Sequence, residues 1–392
     1  MSGANNSSLS ITLLTLVVLP LMFWNCSEVG FQQAKDDLSK SNCNQSAEGC
    51  GGNTGLGVDD DDDGGDPKTD LVAQTVDKDL DYRVPAPSNK VDILLVIDTS
   101  ESMNVERNLL AQRLDGLTDK LDGEGIDWQM CHVFTDLFNR NGEAIRWAGI
   151  NDIVLSSSSL NPSQRRSVFL NSLVDLEIGD GDEQGIGATY RAIQRSGNSD
   201  CFRSDGGLAV ILISDEDERS CGGRSSCDSA DFEQLETINI GENLNSFVGN
   251  RFNGQKPFTF HSIVIRPNDQ SCLNEQQNQI DEFGRQWAAY YGVEYAALSD
   301  LTGGVLGSVC EDDYQSQINN IGDVVIETLD SVPLECTPTN GSLTVQVFDA
   351  GGNRDNSRSI SVDGNKLVFV PALTSGYRVT GDYQCIEFVR PN

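Results

Sequence analysis

Short apolar runs alternate with amphipathic periodicity between residues 70 and 332, and this alternation restricts the possible folds more than any other feature. The runs have strand length and lie at residues 91–98, 128–135, 208–214, 258–265 and 293–298. Between and after them, apolar residues recur at steps of three to five, as in 105–121 and 314–329, which is typical of helices with one buried face. Pro162 is suited to the first turn of a further helix that reaches about Leu176. Continuous apolar strands separated by helices predict an α/β fold, with a doubly wound and mostly parallel sheet covered on both faces.

Residues 333–392 follow a different pattern. The segments GSLTVQVFDA, RSISVDGN, KLVFVPAL and GYRVTGDYQCIEFV are short strand-like runs broken by Gly, Asn and Asp. Within them, VDGNKL is a strong signal for a tight hairpin. We therefore expect a small all-β C-terminal domain after an α/β domain at residues 70–332.

The first 25 residues resemble the signal peptide of a bacterial lipoprotein. Ile11–Trp24 is an apolar run, shorter than the roughly 20 residues of a membrane-spanning helix. Cys26 follows at once, and the resemblance makes it the lipidated first residue of the mature chain; a plain secreted form is the alternative. Ser27 resembles the residue that follows the lipidated cysteine in lipoproteins sorted to the outer membrane. The expected location is thus the cell envelope, lipid-anchored at the outer membrane, with the facing side left open.

Residues 26–69 are poor in large apolar residues and rich in Asn, Gly, Ser and Asp, which predicts a flexible tether. Its Asp59–Asp63 run is interpreted as a solvated spacer and not as a calcium site. The whole chain of 392 residues carries a formal net charge of −33. This charge argues against a nucleic-acid partner, since phosphate binding needs clustered Lys and Arg.

Eleven cysteines are present, and removing Cys26 leaves an even number, which in an exported protein indicates disulfides. Zinc is a weak rival because there is no C-x-x-C pair and there are only two histidines. Short separations favour Cys43–Cys50 and Cys221–Cys227, and the C-terminal domain contains only Cys336–Cys385. The four remaining cysteines can form two disulfides in three ways. We predict the pairs Cys131–Cys201 and Cys272–Cys310.

The first strand ends in VDILLVIDTSESM, which places Asp98, Ser100 and Ser102 two residues apart. Ligand sites in such sheets lie outside the carboxyl ends of the strands, where the run GLAVILISDEDE also delivers Asp215. The segment GDGDEQG adds Asp182 and Glu183 before a helix. Hard divalent cations take oxygen ligands of these kinds. The alternative is that the hydroxyls only cap a helix, with Ser102 at the start of the one near Val105.

The segments ILLVIDTSESM and LAVILISDED resemble the von Willebrand factor type A (VWA) family, and YYGVEYAALSDLTGGVLGSV adds the late strand and T-G-G turn of that fold. The resemblance covers roughly residues 70–330. It implies a central sheet of about six strands and a metal-ion-dependent adhesion site (MIDAS), usually holding magnesium. Matched to this chain, Ser100 and Ser102 would touch the metal, and Asp98 and Asp215 would act directly or through water.

One residue departs from the family pattern. The family usually supplies a Thr before the third helix, where this chain has GDGDEQGIGATY. Asp182 or Glu183 lies nearest that place, and Thr189 is too far along the helix. A carboxylate there strengthens cation binding and tilts the choice from Mg²⁺ towards Ca²⁺.

Signals for catalysis are missing from the sequence: there is no G-x-S-x-G turn, P-loop or dinucleotide fingerprint. His132 and His261 lie inside predicted strands and are expected to be core residues. We therefore expect a protein that is not an enzyme. Two functions remain, an adhesion module that binds a protein or glycan through the metal, and a structural envelope lipoprotein in which the metal only stabilises the fold.

Overall fold

The computed structural model describes residues 72–84, 89–174, 176, 182–221, 232–280, 284, 286–311 and 313–389. All of them belong to one compact unit, Gly64–Asn392. Several predictions fall outside the described residues. They are the predicted signal peptide 1–25, the predicted tether 26–69 with Cys26, the predicted Cys43–Cys50 pair, and Cys227. Among the residues that are described, no helix is both long and apolar enough to cross a membrane.

Twelve strands and eight helices follow one another along the described ranges. In chain order they are β1 Val72–Arg83, β2 Lys90–Ile97, α1 Asn104–Gly123, β3 Asp127–Phe134, α2 Leu137–Arg140, β4 Leu155–Ser156, α3 Pro162–Leu173, α4 Gly185–Gln194, β5 Gly207–Ile213, α5 Gly241–Arg251, β6 Phe258–Val264, α6 Gln270–Gln277, α7 Val293–Leu301, β7 Leu306–Ser308, α8 Tyr314–Leu329, β8 Val332–Pro333, β9 Thr344–Phe348, β10 Ser359–Asp363, β11 Lys366–Val370 and β12 Arg378–Val389. Short 3₁₀ helices lie at Glu101–Met103, Ser196–Cys201 and Thr237–Asn239.

The central sheet has six strands in the order β4-β3-β2-β5-β6-β7. All neighbours are parallel except β4, which runs antiparallel to β3 at the edge. The predicted α/β class with a mostly parallel sheet is confirmed. Because β2 and β5 are central neighbours, with Ile97 paired to Ile213, the residues that follow these two strands meet at one edge.

Helices cover both faces of this sheet, as continuous apolar strands require. Ile93 and Leu95 of β2 pack with the apolar stripes of α1, α3 and α8. Leu94 and Val96, which point to the other face, pack with α4, α5 and α7. The alternation along one strand therefore fills two separate cores.

The predicted strand at 293–298 is wrong, because these residues begin helix α7. Tyr295, Leu298 and Ser299 are the buried residues of this helix, a spacing of three and four that matches one helical face. A short apolar run does not distinguish a strand from a buried helix by periodicity alone. The last strand of the sheet is instead β7, three residues long. The helix from Pro162 begins as predicted, with a capping box at Asn161, and ends at Leu173.

The C-terminal region is built from antiparallel strands, as expected, in the two sheets β1-β12-β9 and β10-β11-β8. The hairpin prediction is confirmed, since Asp363 pairs with Lys366 across Gly364 and Asn365. Sequence reasoning placed residues 70–84 with the α/β segment, but β1 pairs with β12 from Val72 to Arg83. Strand β8, at the expected boundary, pairs with β11. The β region therefore contains strands that precede and follow the α/β region in the sequence.

Three predicted disulfides are confirmed, with Cα–Cα distances of 5.9 Å for Cys131–Cys201, 5.6 Å for Cys272–Cys310 and 5.9 Å for Cys336–Cys385. Such separations lie within the usual range for a disulfide. Cys221 is also disulfide-bonded, and its predicted partner Cys227 lies outside the described residues.

Candidate cation site

The loop after β2 is folded around the carboxylate of Asp98. The backbone N–H of Ser100 donates to Asp98 Oδ1 at 2.7 Å, and the hydroxyl of Ser214, at the end of β5, donates to Oδ2 at 2.6 Å. The bond from Ser214 joins the ends of the two central strands. The Ser100 and Ser102 hydroxyl oxygens are 2.9 Å apart, so the loop presents both side chains on the same side.

Asp215 reaches this loop from β5, as predicted. The Ser102 hydroxyl donates to Asp215 Oδ1 at 3.1 Å. The backbone carbonyl of Asp215 accepts from the Tyr290 N–H at 3.0 Å, which attaches the β5 loop to the segment before α7. Asp98, Ser100, Ser102 and Asp215 therefore form one connected group.

Of the two acidic candidates before α4, Glu183 belongs to this group and Asp182 does not. The Glu183 backbone forms a bridge with Asp136 on one side and with Ser220 on the other. In such an extended segment, successive side chains point in opposite directions. The Asp182 carboxylate accepts from Gln184 Nε2 at 2.8 Å and lies 3.4 Å from Arg219 Nε. The Glu183 carboxylate accepts from the Thr135 hydroxyl at the end of β3.

These side chains are almost fully buried, with exposed fractions of 0% for Asp98 and Asp215, 1% for Glu183, 7% for Ser100 and 5% for Ser102. Burial raises the pKa of Asp98, against the hydrogen bonds from Ser214 and Ser100. Burial, reinforced by repulsion from Asp98 and Glu216, raises the pKa of Asp215 and of Glu183 well above the usual values. The folded chain therefore holds several carboxyl groups where burial and mutual repulsion disfavour their charged forms.

Two further residues support the site and were missed by sequence reasoning. The buried Arg107 guanidinium donates to the backbone carbonyls of Asp98 at 3.0 Å and Ser100 at 2.7 Å, so it braces the loop from below. Glu106 is buried and accepts from Gln276 of α6 at 3.1 Å. Burial raises the Glu106 pKa, and repulsion from Asp98 adds to this rise. No sequence signal pointed to Arg107 or Glu106. Thr135 and Ser214, which bond Glu183 and Asp98, could have been found because they are the last residues of predicted strands.

The oxygen spacings are those of hydrogen bonds, and two oxygens at such distances can also share one divalent cation. Two oxygens bound to one magnesium ion at right angles, each about 2.1 Å from it, lie about 3 Å apart. The Ser100–Ser102 and Ser102–Asp215 spacings of 2.9 Å and 3.1 Å have this length. Asp215 Oδ2 and Glu183 Oε1 are buried and have no hydrogen-bond partner among the described residues. Across those residues, no three His, Cys, Asp or Glu side chains converge into a metal site on their own, so a cation here would need the serine hydroxyls as well.

The alternative interpretation of these serines as helix caps is wrong. Ser100 is the residue before the 3₁₀ helix and makes no side-chain capping bond. Helix α1 is preceded by Met103 and likewise lacks a side-chain cap. The two hydroxyls bond each other instead, and that of Ser102 also donates to Asp215 of the next loop.

Both histidines are core residues, as expected. His261 accepts from the Val305 N–H at Nδ1, 3.0 Å away, and its Nε2 lies 2.9 Å from the Thr259 hydroxyl. The His132 ring packs 4.3 Å from the Trp147 ring, and neither of its nitrogens has a partner among the described residues. Burial lowers the pKa of each to about 3, so both rings are neutral and away from solvent.

Comparison with known proteins returns only distant likenesses. No protein-family model matches the chain, and no curated protein matches it. Among solved structures, the pilus adhesin SpaC from Lactobacillus rhamnosus GG in its open conformation is 12% identical, with a TM-score of 0.34, over 81% of this chain and 42% of SpaC. A second SpaC structure gives 11% identity and a TM-score of 0.29 over 81% of this chain and 43% of that one. Proximal thread matrix protein 1 from the mussel byssus is 13% identical, with a TM-score of 0.30, over 63% of this chain and 47% of that protein. The chain thus spans less than half the length of each, and likenesses this low carry no conclusion about function.

Proposed function

We propose that the α/β region is a VWA-like module that binds Mg²⁺ or Ca²⁺ at the carboxyl edge of its sheet and uses the cation to hold a protein or glycan partner. Ser100, Ser102 and Asp215 hold the ion directly. Asp98, whose two oxygens already accept hydrogen bonds, acts through water and orients the loop. Glu183 takes the place of the usual Thr and adds a negative charge.

One observation carries this proposal: buried oxygens from three loops lie together, and two carboxylate oxygens among them have no hydrogen-bond partner within the part of the chain that the structure describes. Burying a charged group without a partner is costly. A divalent cation would offset the repulsion between the carboxylates and supply the missing partner. The six-stranded order around β2 and β5 supports the same proposal, since it agrees with the sheet that the resemblance implies.

The burial of the site favours a second function, in which the cation only stabilises a structural envelope protein. Ser100 and Ser102 are nearly inaccessible, so a partner can reach the ion only if the surrounding loops move. The two functions differ in whether a surface ligand depends on the cation while the fold does not.

Thermal unfolding with and without cation tests the cation site. We expect millimolar MgCl₂ or CaCl₂ to raise the melting temperature above that in NaCl of equal ionic strength, since a ligand that binds only the folded state stabilises it by mass action. A chelator should reverse the gain. If the melting temperature changes neither with the cations nor with the chelator, the cation site is excluded. If stability responds but adhesion to envelope extracts does not change with chelator, the structural function takes its place.

The proposed location is the cell envelope, with Cys26 lipidated and the tether separating the folded unit from the outer membrane. The apolar run before Cys26 motivates this proposal. Mass spectrometry of the mature protein should show an acylated N-terminal cysteine at position 26. An unmodified N-terminus well upstream of Cys26 would contradict it.

A further inference from the structure

Four consecutive acidic residues, Asp215–Glu218, follow the strand β5, and each side chain lies in a different buried environment. Asp215 lies in the candidate cation site, and Glu216 accepts from the Ser220 hydroxyl at 2.7 Å. Asp217 accepts from the Glu294 N–H at 3.0 Å, in the first turn of α7. The Glu218 side chain lies against the N-terminal end of α4. All four are nearly inaccessible to solvent, so the acidic run is not a solvated surface.

Glu218 accepts hydrogen bonds from α4 and from a short 3₁₀ helix. Its Oε2 accepts from the Ile186 N–H at 2.8 Å, and its Oε1 accepts from the Gly187 N–H at 3.0 Å. The Asn239 amide donates to Oε1 as well, at 2.6 Å. A carboxylate from the β5 loop thus satisfies two N–H groups that the first turn of α4 leaves without helical partners. The residue before that turn, Gln184, makes no side-chain cap of its own.

The same loop also holds the backbone of Glu183. The Glu183 N–H donates to the Ser220 carbonyl at 3.0 Å, and the Arg219 N–H donates to the Glu183 carbonyl at 2.6 Å. The Asn239 amide that bonds Glu218 also donates to the Gln184 side chain at 3.1 Å. Glu183 is therefore fixed on its C-terminal side by the α4 cap and through its backbone by residues 219–220.

We infer that Glu218 is a positioning residue for the proposed cation site, which holds Glu183 towards Asp98 and Asp215 by capping α4. This inference rests on the proposed cation-binding function and deepens it. Glu218 does not touch the ion. It acts through Glu183, so its contribution to cation affinity exists only when residue 183 is a carboxylate.

A double-mutant cycle isolates this dependence. Isothermal titration with MgCl₂ or CaCl₂ would be run on the full chain and on Glu218→Gln, Glu183→Gln and the double variant. Glutamine keeps the size of Glu218 but places an NH₂ group against one of its donors. Glu218→Gln should weaken cation binding by roughly 10–100-fold, the range for residues that orient metal ligands. In the Glu183→Gln background it should cause no further loss beyond about twofold, because coupled residues are not additive.

The matched control is Asp217→Asn, which alters an equally buried neighbour that caps α7 instead of α4. It should leave cation affinity within about twofold of the wild type, because it does not act on Glu183. Asn239→Ala is a milder second variant, which removes the bridge between Glu218 and Gln184 and should weaken binding in the same direction. Denaturation in chelator verifies that each variant folds.

The outcomes separate this inference from the proposed function. Equal losses in both backgrounds, no loss in Glu218→Gln, or the same loss in Asp217→Asn would each overturn the positioning role while leaving the cation site intact. If the wild type binds neither cation, the proposed function fails and the positioning role fails with it.

Discussion

At the residue scale, the neighbours of a side chain decide its role more than its type does. Asp92 is the one charged residue inside the apolar part of β2, and it is fully buried. It accepts from Lys256 Nζ at 2.6 Å and Arg203 Nε at 2.7 Å, so its charge is balanced at the amino edge of the sheet. Asp98, six residues later and just after the same strand, accepts from the neutral Ser100 N–H and Ser214 hydroxyl. The carboxylate of Asp92 is thus paired with two basic side chains, whereas the hydrogen bonds to Asp98 bring it no opposite charge.

The two types of predicted ligand should respond differently to substitution. Asp98→Ala should abolish the stabilisation by Mg²⁺ or Ca²⁺, because it removes a charge and releases the Ser100 N–H and the Ser214 hydroxyl. Ser100→Ala removes a neutral ligand and should weaken cation binding less. Titration calorimetry measures both affinities, and melting in chelator reports on the fold. A larger loss for Ser100→Ala than for Asp98→Ala would contradict these roles.

His132 should make the protein sensitive to acid. Its folded pKa of about 3 lies below the unfolded value of about 6.5, so between these pH values the unfolded chain binds more protons. The free energy of unfolding therefore falls as the pH drops below 6.5. Between pH 7 and pH 5 the free energy of unfolding of His132→Leu should therefore fall by about 2 kcal/mol less than that of the wild type. Urea denaturation at both pH values measures it.

Comparing the variant with the wild type is essential, because other groups act in the opposite direction. Burial raises the pKa of Glu218 to about 8, so its contribution to stability is present at low pH and is lost as the pH rises towards that value. An unchanged pH dependence in His132→Leu would show that this histidine is protonated in the folded chain.

At the element scale, a disulfide fastens the short helix α6 to the loop after β7. Cys272 lies in α6, and Cys310 follows β7, with 38 residues of separation. Replacing both by serine should lower the free energy of unfolding by about 2–4 kcal/mol, because the unfolded chain regains loop entropy. Chemical denaturation of the oxidised protein measures the loss.

The disulfide Cys336–Cys385 supplies the matched control, with a separation of 49 residues. Since the entropy term depends on the logarithm of loop length, removing either pair should cost the same to within about 1 kcal/mol. A much larger cost for one pair would mean that packing, and not loop entropy, governs its contribution.

At the scale of the whole molecule, the β region is formed by chain segments that precede and follow the α/β region. Strand β1 precedes the α/β region but pairs with β12, and Lys366 of β11 donates to the Thr328 hydroxyl of α8 at 3.0 Å. Leu80 and Tyr82 of β1 pack with Val379 and Tyr383 of β12. The two regions are therefore expected to unfold together.

Calorimetry tests this cooperativity. The chain should show one transition with a calorimetric enthalpy close to the van't Hoff value. Deleting residues 334–392 should lower the melting temperature of what remains, because it uncovers the apolar side chains of β1. Two separate transitions, or a deletion that melts at the wild-type temperature, would show that the regions are independent domains.

The sequence by itself determined the elements whose signals are local. The strand β2 and the helix α1 follow from periodicity, the β10–β11 hairpin from its turn residues, and Asp98, Ser100 and Ser102 from their position after a strand. The disulfides Cys131–Cys201 and Cys272–Cys310 were predictable because the order of strands places their ends together. Asp215 was predictable for the same reason, since it ends the strand that pairs with β2.

Only the tertiary structure decided what depends on contacts between distant segments. The short apolar run 293–298 suited a strand or a helix equally, and packing against the sheet, which buries Tyr295 and Leu298, decided for the helix. Residues 72–83 joined the C-terminal sheet because β12 supplied their hydrogen-bond partners. Glu183 and not Asp182 faces the candidate site because its backbone pairs with remote segments. Arg107 contacts the loop after β2, and Glu218 caps α4, through bonds between segments that are distant in the sequence. Local sequence carries no record of such partners, whereas the periodicity of a strand or helix is written into the residues that form it.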